Sequence, residues 1–454
     1  MPRLANFISR LDKISARTWF WIVLAVAAIQ RLLLWLYYPV VSLNDTGSYR
    51  RSAEAILGGW EQYDGTRTPG YPAFMALMGP DDRVYIAQLL LGFGITLLFF
   101  YIGWKITGRG WFGALAALMH TLNVQQFLFE ADLMTETLAT FWIALAFAGM
   151  AFLLDDRIAK EKIPAWKLIG VAALTGLAAG LSILTRPLFI YFPFWIAFFL
   201  VFFWRGPRPG IRWSSALVAL LPGIILAGWW VNFIHDRFNM WSLSAMTGYH
   251  LIQHTGVFFE YVPDDYAALR DTYLRFRDAR IAEYGTQTNT IWDAIPEMQK
   301  ATGESFYGLS RLIQKISIQL ILEHPLLYAR NVALGWFWFW KVPVYWSAAA
   351  IDNPMLVTLA HGLILIERGL LFGINMIFIF GSIALVVVKK FRQMVKVTPF
   401  IWFSIGTVWI ASVLQSMLDH GDNPRFLIPM QSLVVLIVLW WLVNLIYTRS
   451  SNEG

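Results

Sequence analysis

The sequence predicts an all-α polytopic membrane protein. Of its 454 residues, 57% are hydrophobic and only 14% charged, and 23 are tryptophan and 34 phenylalanine. Soluble domains carry about a quarter charged residues. Aromatic side chains in such numbers suit contact with lipid and its interfaces. Several near-uncharged stretches also reach the roughly 20 residues needed to cross a bilayer. A large soluble core does not explain that repetition.

Taken in order, apolar segments fall near 18–38, 86–104, 111–129, 137–154, 168–185, 188–204, 214–232, 368–388, 399–417 and 426–447. Ten spans are expected. The first 17 residues, MPRLANFISRLDKISAR, are basic, and no small-residue cleavage site follows the first apolar run. That run therefore reads as a retained helix. Short basic turns join the spans: Lys105 and Arg109; Arg157, Lys160, Lys162 and Lys167; Arg205, Arg208 and Arg212; Lys389, Lys390, Arg392 and Lys396. Together with both termini they hold 18 basic and 5 acidic residues, whereas the rest of the chain holds 18 and 24. The positive-inside rule puts these turns and both termini in the cytoplasm. The opposite, extracytoplasmic side then receives 39–85, the turn around EADLMTE, Arg186–Pro187, residues 233 to about 367, and DHGDNPR at 419–425. Six of the seven histidines lie there.

Three units follow: 1–232 as a transmembrane module with a first outer loop, 233–367 as an extracytoplasmic loop region, and 368–454 as C-terminal transmembrane helices. The outer region up to about 310 is polar and aromatic, as a small loop domain would be. Residues 312–346, with tryptophans at 336, 338, 340 and 346, read as helices lying in the outer interface. If they cross the membrane as a pair, twelve spans replace ten. No fixed-period repeat or inverted duplication is visible.

Charge on the outer side is concentrated at four places, the first of them the 39–85 segment, which holds both SLNDTGSYRR and RTPGYP. In SLNDTGSYRR, Asn44 or Asp45 can cap a short helix through 46–57, whose apolar stripe is Tyr49, Ala53, Ile56 and Leu57. In RTPGYP, Pro69 restricts Thr68, Gly70 permits a tight turn and Pro72 can open the following helix. That support presents Arg67, which can pair with a phosphate, with Asp64 or with bulk headgroups. Glu130, Asp132 and Glu136 form an acidic cluster, and Asp132 and Glu136 share a face if they share a helix. Arg186 ends the fifth span, and Arg425 opens the last beside Asp422 and His420. Solvated loops, caps and snorkelling side chains account for each site singly. Charges between apolar runs are costly unless paired or facing a cavity. Four sites with carboxylates or arginines suit an anionic lipid substrate better than an ion-selective pore.

Other chemistries find little support. With no cysteine there is no disulfide, thiol nucleophile or cysteine-held zinc. No P-loop, zincin, dinucleotide-binding or serine-elbow motif stands in a convincing context. Histidines 235, 250 and 254 include an H-x-x-x-H pair, a weak metal signal without a spaced third ligand. A divalent cation is thus left open and no other cofactor is called for.

Taken together, NDTGSY at 44–49, RTPGYP at 67–72, TE at 135–136, GLSILTRP at 180–187, the long outer loop after WWVNF and DNPRFLIP at 422–429 resemble the GT-C superfamily of lipid-dependent glycosyltransferases. The resemblance spans nearly the whole chain and is nearest to bacterial members related to the protein O-mannosyltransferases and the lipid A aminoarabinose transferases. Each piece is short; their order and common side are more specific. The resemblance implies a GT-C-like helical domain in a bacterial inner membrane, with its active site outside. It also implies transfer of a sugar from a polyprenyl-phosphate carrier to a lipid, glycan or protein, with inversion. The family's base in the first outer loop matches Asp45. Here Thr46 follows it, where the mannosyltransferases carry an Asp-Glu pair, which weakens a protein-mannosylating role.

On that reading Asp45 is the catalytic base, with Asp132 and Glu136 as further catalytic carboxylates. Arg67, Arg186 and Arg425 bind phosphate, and Tyr49, Tyr71, His420 and Asp422 contact substrate. An acceptor hydroxyl must lose a proton while the anomeric carbon loses a phosphate, which calls for a carboxylate and cations together. Two rivals use the same residues differently: a transporter or flippase of an anionic lipid, and a non-catalytic envelope scaffold.

Overall fold

The computed structural model describes residues 10–43, 45–155, 157, 163–205, 207–420 and 423–452, with the side chains of 423 and 449–452 outside the description. Among the described residues the chain is helical apart from turns and one β-bridge, between Val41 and Asp132. Among the described residues eight helices are long and apolar enough to cross a membrane. The protein is an all-α polytopic membrane protein. Large apolar side chains such as Leu32, Trp35, Ile225 and Leu365 remain exposed on the spanning helices, where lipid would solvate them.

The other two expected spans are interrupted. Near 111–129 the chain forms Gly110–Thr121 and Val124–Ala131 with a break at Leu122–Asn123. Asn123 caps the second piece, its side chain accepting from the Gln126 N–H at 2.9 Å. The Glu367 carboxylate accepts from the Val124 and Gln125 N–H groups at 2.7 and 3.1 Å. These acceptors satisfy the open donors of a new helix start. Near 188–204 a 3-10 turn, Pro187–Tyr191, precedes Phe192–Phe202. Its 16 apolar residues reach about 24 Å at 1.5 Å each, short of a hydrocarbon core of about 30 Å.

Helices Pro209–Phe238 and Pro354–Val387 run through the expected unit boundaries at 232 and 367. The region between them builds its own core from Tyr249, Ile252, Phe259, Leu269, Tyr273 and Met298. Residues 312–346, expected as interfacial helices, divide between two environments. Phe306–Glu323 buries Leu309, Ile313, Ile316 and Leu320 in that second core. Pro325–Phe339 instead packs on Pro399–Leu418, with Trp336 stacked on Trp409 at 5.6 Å.

The loop after the first helix is pinned to the turn at 131–133. Val41 N–H donates to the Ala131 carbonyl at 2.9 Å, and Leu133 N–H to the Val41 carbonyl at 3.0 Å. Thr46 Oγ1 adds a bond to the Leu133 carbonyl at 3.1 Å. This register sets the helix Thr46–Leu57 beside the start of Glu136–Leu153.

Candidate functional site

Asp45 stands at the start of Thr46–Leu57, but its side chain makes no capping bond. It is turned instead toward two arginines. Arg67 Nη2 donates to Oδ1 at 2.7 Å and Arg425 Nη1 to Oδ2 at 2.6 Å. The alternative cap, Asn44, lies outside the described residues. Burial alone would raise the Asp45 carboxyl, but the two guanidiniums prevail and hold it down at about 2. Charge-assisted bonds to both oxygens stabilise the anion.

Each arginine is held from behind. Arg67 donates through Nε to Ser48 Oγ at 2.8 Å and lies 4.7 Å over the Tyr49 ring. Its carbonyl accepts from the Tyr63 hydroxyl. Asp64 does not pair with it; that carboxylate accepts from Thr66 N–H and Oγ1 at 3.0 and 2.6 Å. RTPGYP works differently from the expected turn. Pro69 caps a helix that begins at Gly70, placing Pro72 within its first turn. A Cβ on Gly70 would lie 2.6 Å from the Leu184 carbonyl, so glycine is needed for close approach to the end of Ala165–Thr185.

That helix end presents Arg186. Its guanidinium pairs with Glu136, donates through Nε to Thr135 Oγ1 at 2.9 Å and lies 4.8 Å over Phe426. Arg425 Nε comes within 3.6 Å of the same Glu136 oxygen. Three guanidiniums thus share two carboxylates where the ends of several membrane helices meet. Beside them opens a cavity of about 340 Å³ lined by Tyr49, Arg67, Thr135, Arg186, Arg425 and Phe426, among others.

The acidic cluster expected at 130–136 separates into three fates. Glu130 pairs with Arg31 at 2.7 Å inside the bundle. Asp132 ends Val124–Ala131 while Glu136 begins Glu136–Leu153, so they share no helix face. Asp132 is fully buried, neither carboxyl oxygen has a hydrogen-bond partner, and burial pushes its pKa well above the usual range, with Glu136 adding to the rise. Only Glu136 reaches the arginines. Tyr71 is also fully buried, donating to Gln88 Oε1 at 2.7 Å. It supports Tyr49, whose ring lies edge-on at 5.1 Å, and does not line the cavity. His420 sits behind the cavity against His254, ring centroids 5.4 Å apart. Asp422 lies outside the described residues.

The region between Pro209–Phe238 and Pro354–Val387 contributes to the cavity wall through Leu243, Ser244, Thr247, His250 and Leu251. None was singled out as a substrate contact from sequence. His250 Nδ1 lies 3.1 Å from Asp419 Oδ2, a pairing across 169 residues that no local pattern signals. His254, one turn on, meets His420 instead, and burial lowers its pKa to about 4. His235 stacks on Trp241 at 4.0 Å. The three histidines do not converge, and among the described residues no group of three or more His, Asp or Glu side chains is placed to hold a metal ion.

No family model matches the sequence and no curated protein matches it. Among solved structures, the chain aligns with ArnT from Cupriavidus metallidurans bound to undecaprenyl phosphate. The alignment covers 94% of this chain and 78% of that one at 13% identity, with a TM-score of 0.34.

Proposed function

We propose that this protein is an inverting glycosyltransferase, moving a sugar from a polyprenyl-phosphate carrier to a lipid, glycan or protein acceptor at the outer face of the membrane. The observation that carries the reading is the convergence of Arg67, Arg186 and Arg425 with Asp45 and Glu136 beside one cavity at the ends of membrane helices. Guanidiniums suit a phosphate because their planar donors match its oxygens. Their charge would stabilise the phosphate as the bond to the anomeric carbon breaks. Arg67, Arg186 and Arg425 all line the cavity and would face the incoming phosphate. A carboxyl held at about 2 is a weak base. Asp45 therefore serves by orienting the acceptor hydroxyl, which gives up its proton late in the transfer. Lipid-borne donors need neither ATP nor a nucleotide-sugar fold, consistent with the motifs the sequence lacks.

The test compares purified full-length wild type with Asp45→Asn, using a labelled polyprenyl-phosphate-sugar extract and native membrane acceptors. Wild type should transfer label, and an equally folded Asp45→Asn should lose turnover by on the order of 10²-fold, as expected of a lost positioning contact. Near-normal turnover in the variant would remove Asp45 from the reaction. A wild type that transfers nothing, where a control transferase does, favours transport of an anionic lipid.

A further inference from the structure

Asp45 leaves one requirement unmet. Both of its oxygens accept from guanidiniums, which makes the carboxylate a poor final holder of the acceptor proton, and a better base is needed at the same cavity. His250 lines that cavity, and its side chain is 41% exposed. Its Nδ1 lies 3.1 Å from Asp419 Oδ2. A carboxylate only accepts, so Nδ1 carries the proton in this pair, and in the neutral imidazole Nε2 is then the nitrogen with the free lone pair. The Trp292 ring stands edge-on to the imidazole at 6.1 Å.

We propose that His250, oriented by Asp419, accepts the proton of the acceptor hydroxyl; this rests on the transferase reading. As the acceptor oxygen bonds to the anomeric carbon, the bond from that carbon to the carrier's phosphate oxygen breaks, and its electron pair stays on the phosphate. The hydroxyl proton passes to His250 Nε2. The imidazolium, facing Asp419, then returns the proton to water and the site resets. His250 is the catalytic residue here and Asp419 a positioning residue. The plainer role for the pair is a latch between Thr247–Thr255 and the end of Pro399–Leu418.

The groups around His250 that carry or take up charge are Asp419 and His420 from the end of Pro399–Leu418, His254 on its own helix, and Arg67, Arg186 and Arg425 at the cavity. A pH profile is therefore assigned by variants. The full-length protein in lipid nanodiscs is assayed with the labelled polyprenyl-phosphate-sugar extract, and carrier binding is measured separately with undecaprenyl phosphate. Wild-type kcat should fall on the acid side of its profile. His250→Ala should lower kcat on the order of 10²- to 10⁴-fold and abolish that limb, with carrier binding unchanged. Added imidazole should restore much of the lost rate. Asp419→Asn should move the limb and cause a smaller loss, because it favours the wrong tautomer.

Wild-type kcat and pH profile in His250→Ala would overturn the proposal while leaving the transferase reading intact. Loss of activity in step with loss of thermal stability, without imidazole rescue, would reduce the pair to a latch. Absence of transfer by wild type would overturn both readings.

Discussion

Two arginine–carboxylate clusters sit among the apolar helices, and they are built in opposite ways. In the first, Arg31 bonds Glu130 at 2.7 Å, Thr121 Oγ1 at 2.6 Å and Thr96 Oγ1 at 3.1 Å, with both charged side chains at or below 6% exposure. One cation meets one anion, and neither residue lines the cavity beside Asp45. Gly92 makes this possible: a Cβ there would lie 2.1 Å from the Glu130 carboxyl carbon. In the second cluster three arginines share Asp45 and Glu136, Asp45 is about a quarter exposed, and a cavity opens alongside. Buried ion pairs are costly to form and more costly to break. A sealed pair therefore reports on packing, whereas an open cluster beside a cavity can exchange an internal carboxylate for an anionic ligand.

Removing an arginine should separate the two clusters. Arg31→Ala strands Glu130 and should lower stability by about 3–5 kcal/mol. Carrier binding per folded molecule should not change; denaturation and binding assays on the same preparation check this. Weakened binding at full occupancy of the folded state would erase the contrast.

Arg425→Ala should instead weaken undecaprenyl phosphate binding by roughly ten- to a hundredfold, with a stability loss below that of Arg31→Ala, because water reaches Asp45 and Arg67 still pairs with it. Arg186→Ala is a poor probe of phosphate binding, since it also uncovers the buried Glu136 charge. The double variant Arg186→Gln with Glu136→Gln separates the two effects.

The approach of the RTPGYP helix offers a finer test. Gly70→Ala should push that helix from the Leu184 carbonyl and cost about 1–3 kcal/mol. A larger fractional effect on turnover than on stability would show that Arg67 depends on this contact.

The smallest effect expected is a pH dependence. The Asp45 carboxyl is held at about 2, below an unfolded value of about 3.9. Its contribution is therefore complete above the unfolded value and is lost as pH falls through about 2. It should amount to about 1–2 kcal/mol, absent in Asp45→Asn, when unfolding is followed from pH 6 downward.

The spanning helices were legible because a bilayer demands long apolar runs, and eight of ten expected segments satisfy that demand. The break at Leu122–Asn123 was not, since Glu367 caps Val124–Ala131 from a helix more than 240 residues away. Asp45, Arg67, Arg186 and Arg425 could be selected as charges flanking apolar segments. Their pairing could not: Asp45 meets arginines 22 and 380 residues away, while Glu136 meets Arg186 across 50. Nor does local spacing separate Glu130, sealed against Arg31, from Glu136 at the cavity. Composition and hydropathy act residue by residue, so the sequence by itself determined a helical membrane protein with charge gathered at helix ends. Tertiary packing alone decided which charges neutralise one another, which are buried without a partner and which face open space, because those outcomes depend on distances between side chains that the chain keeps far apart.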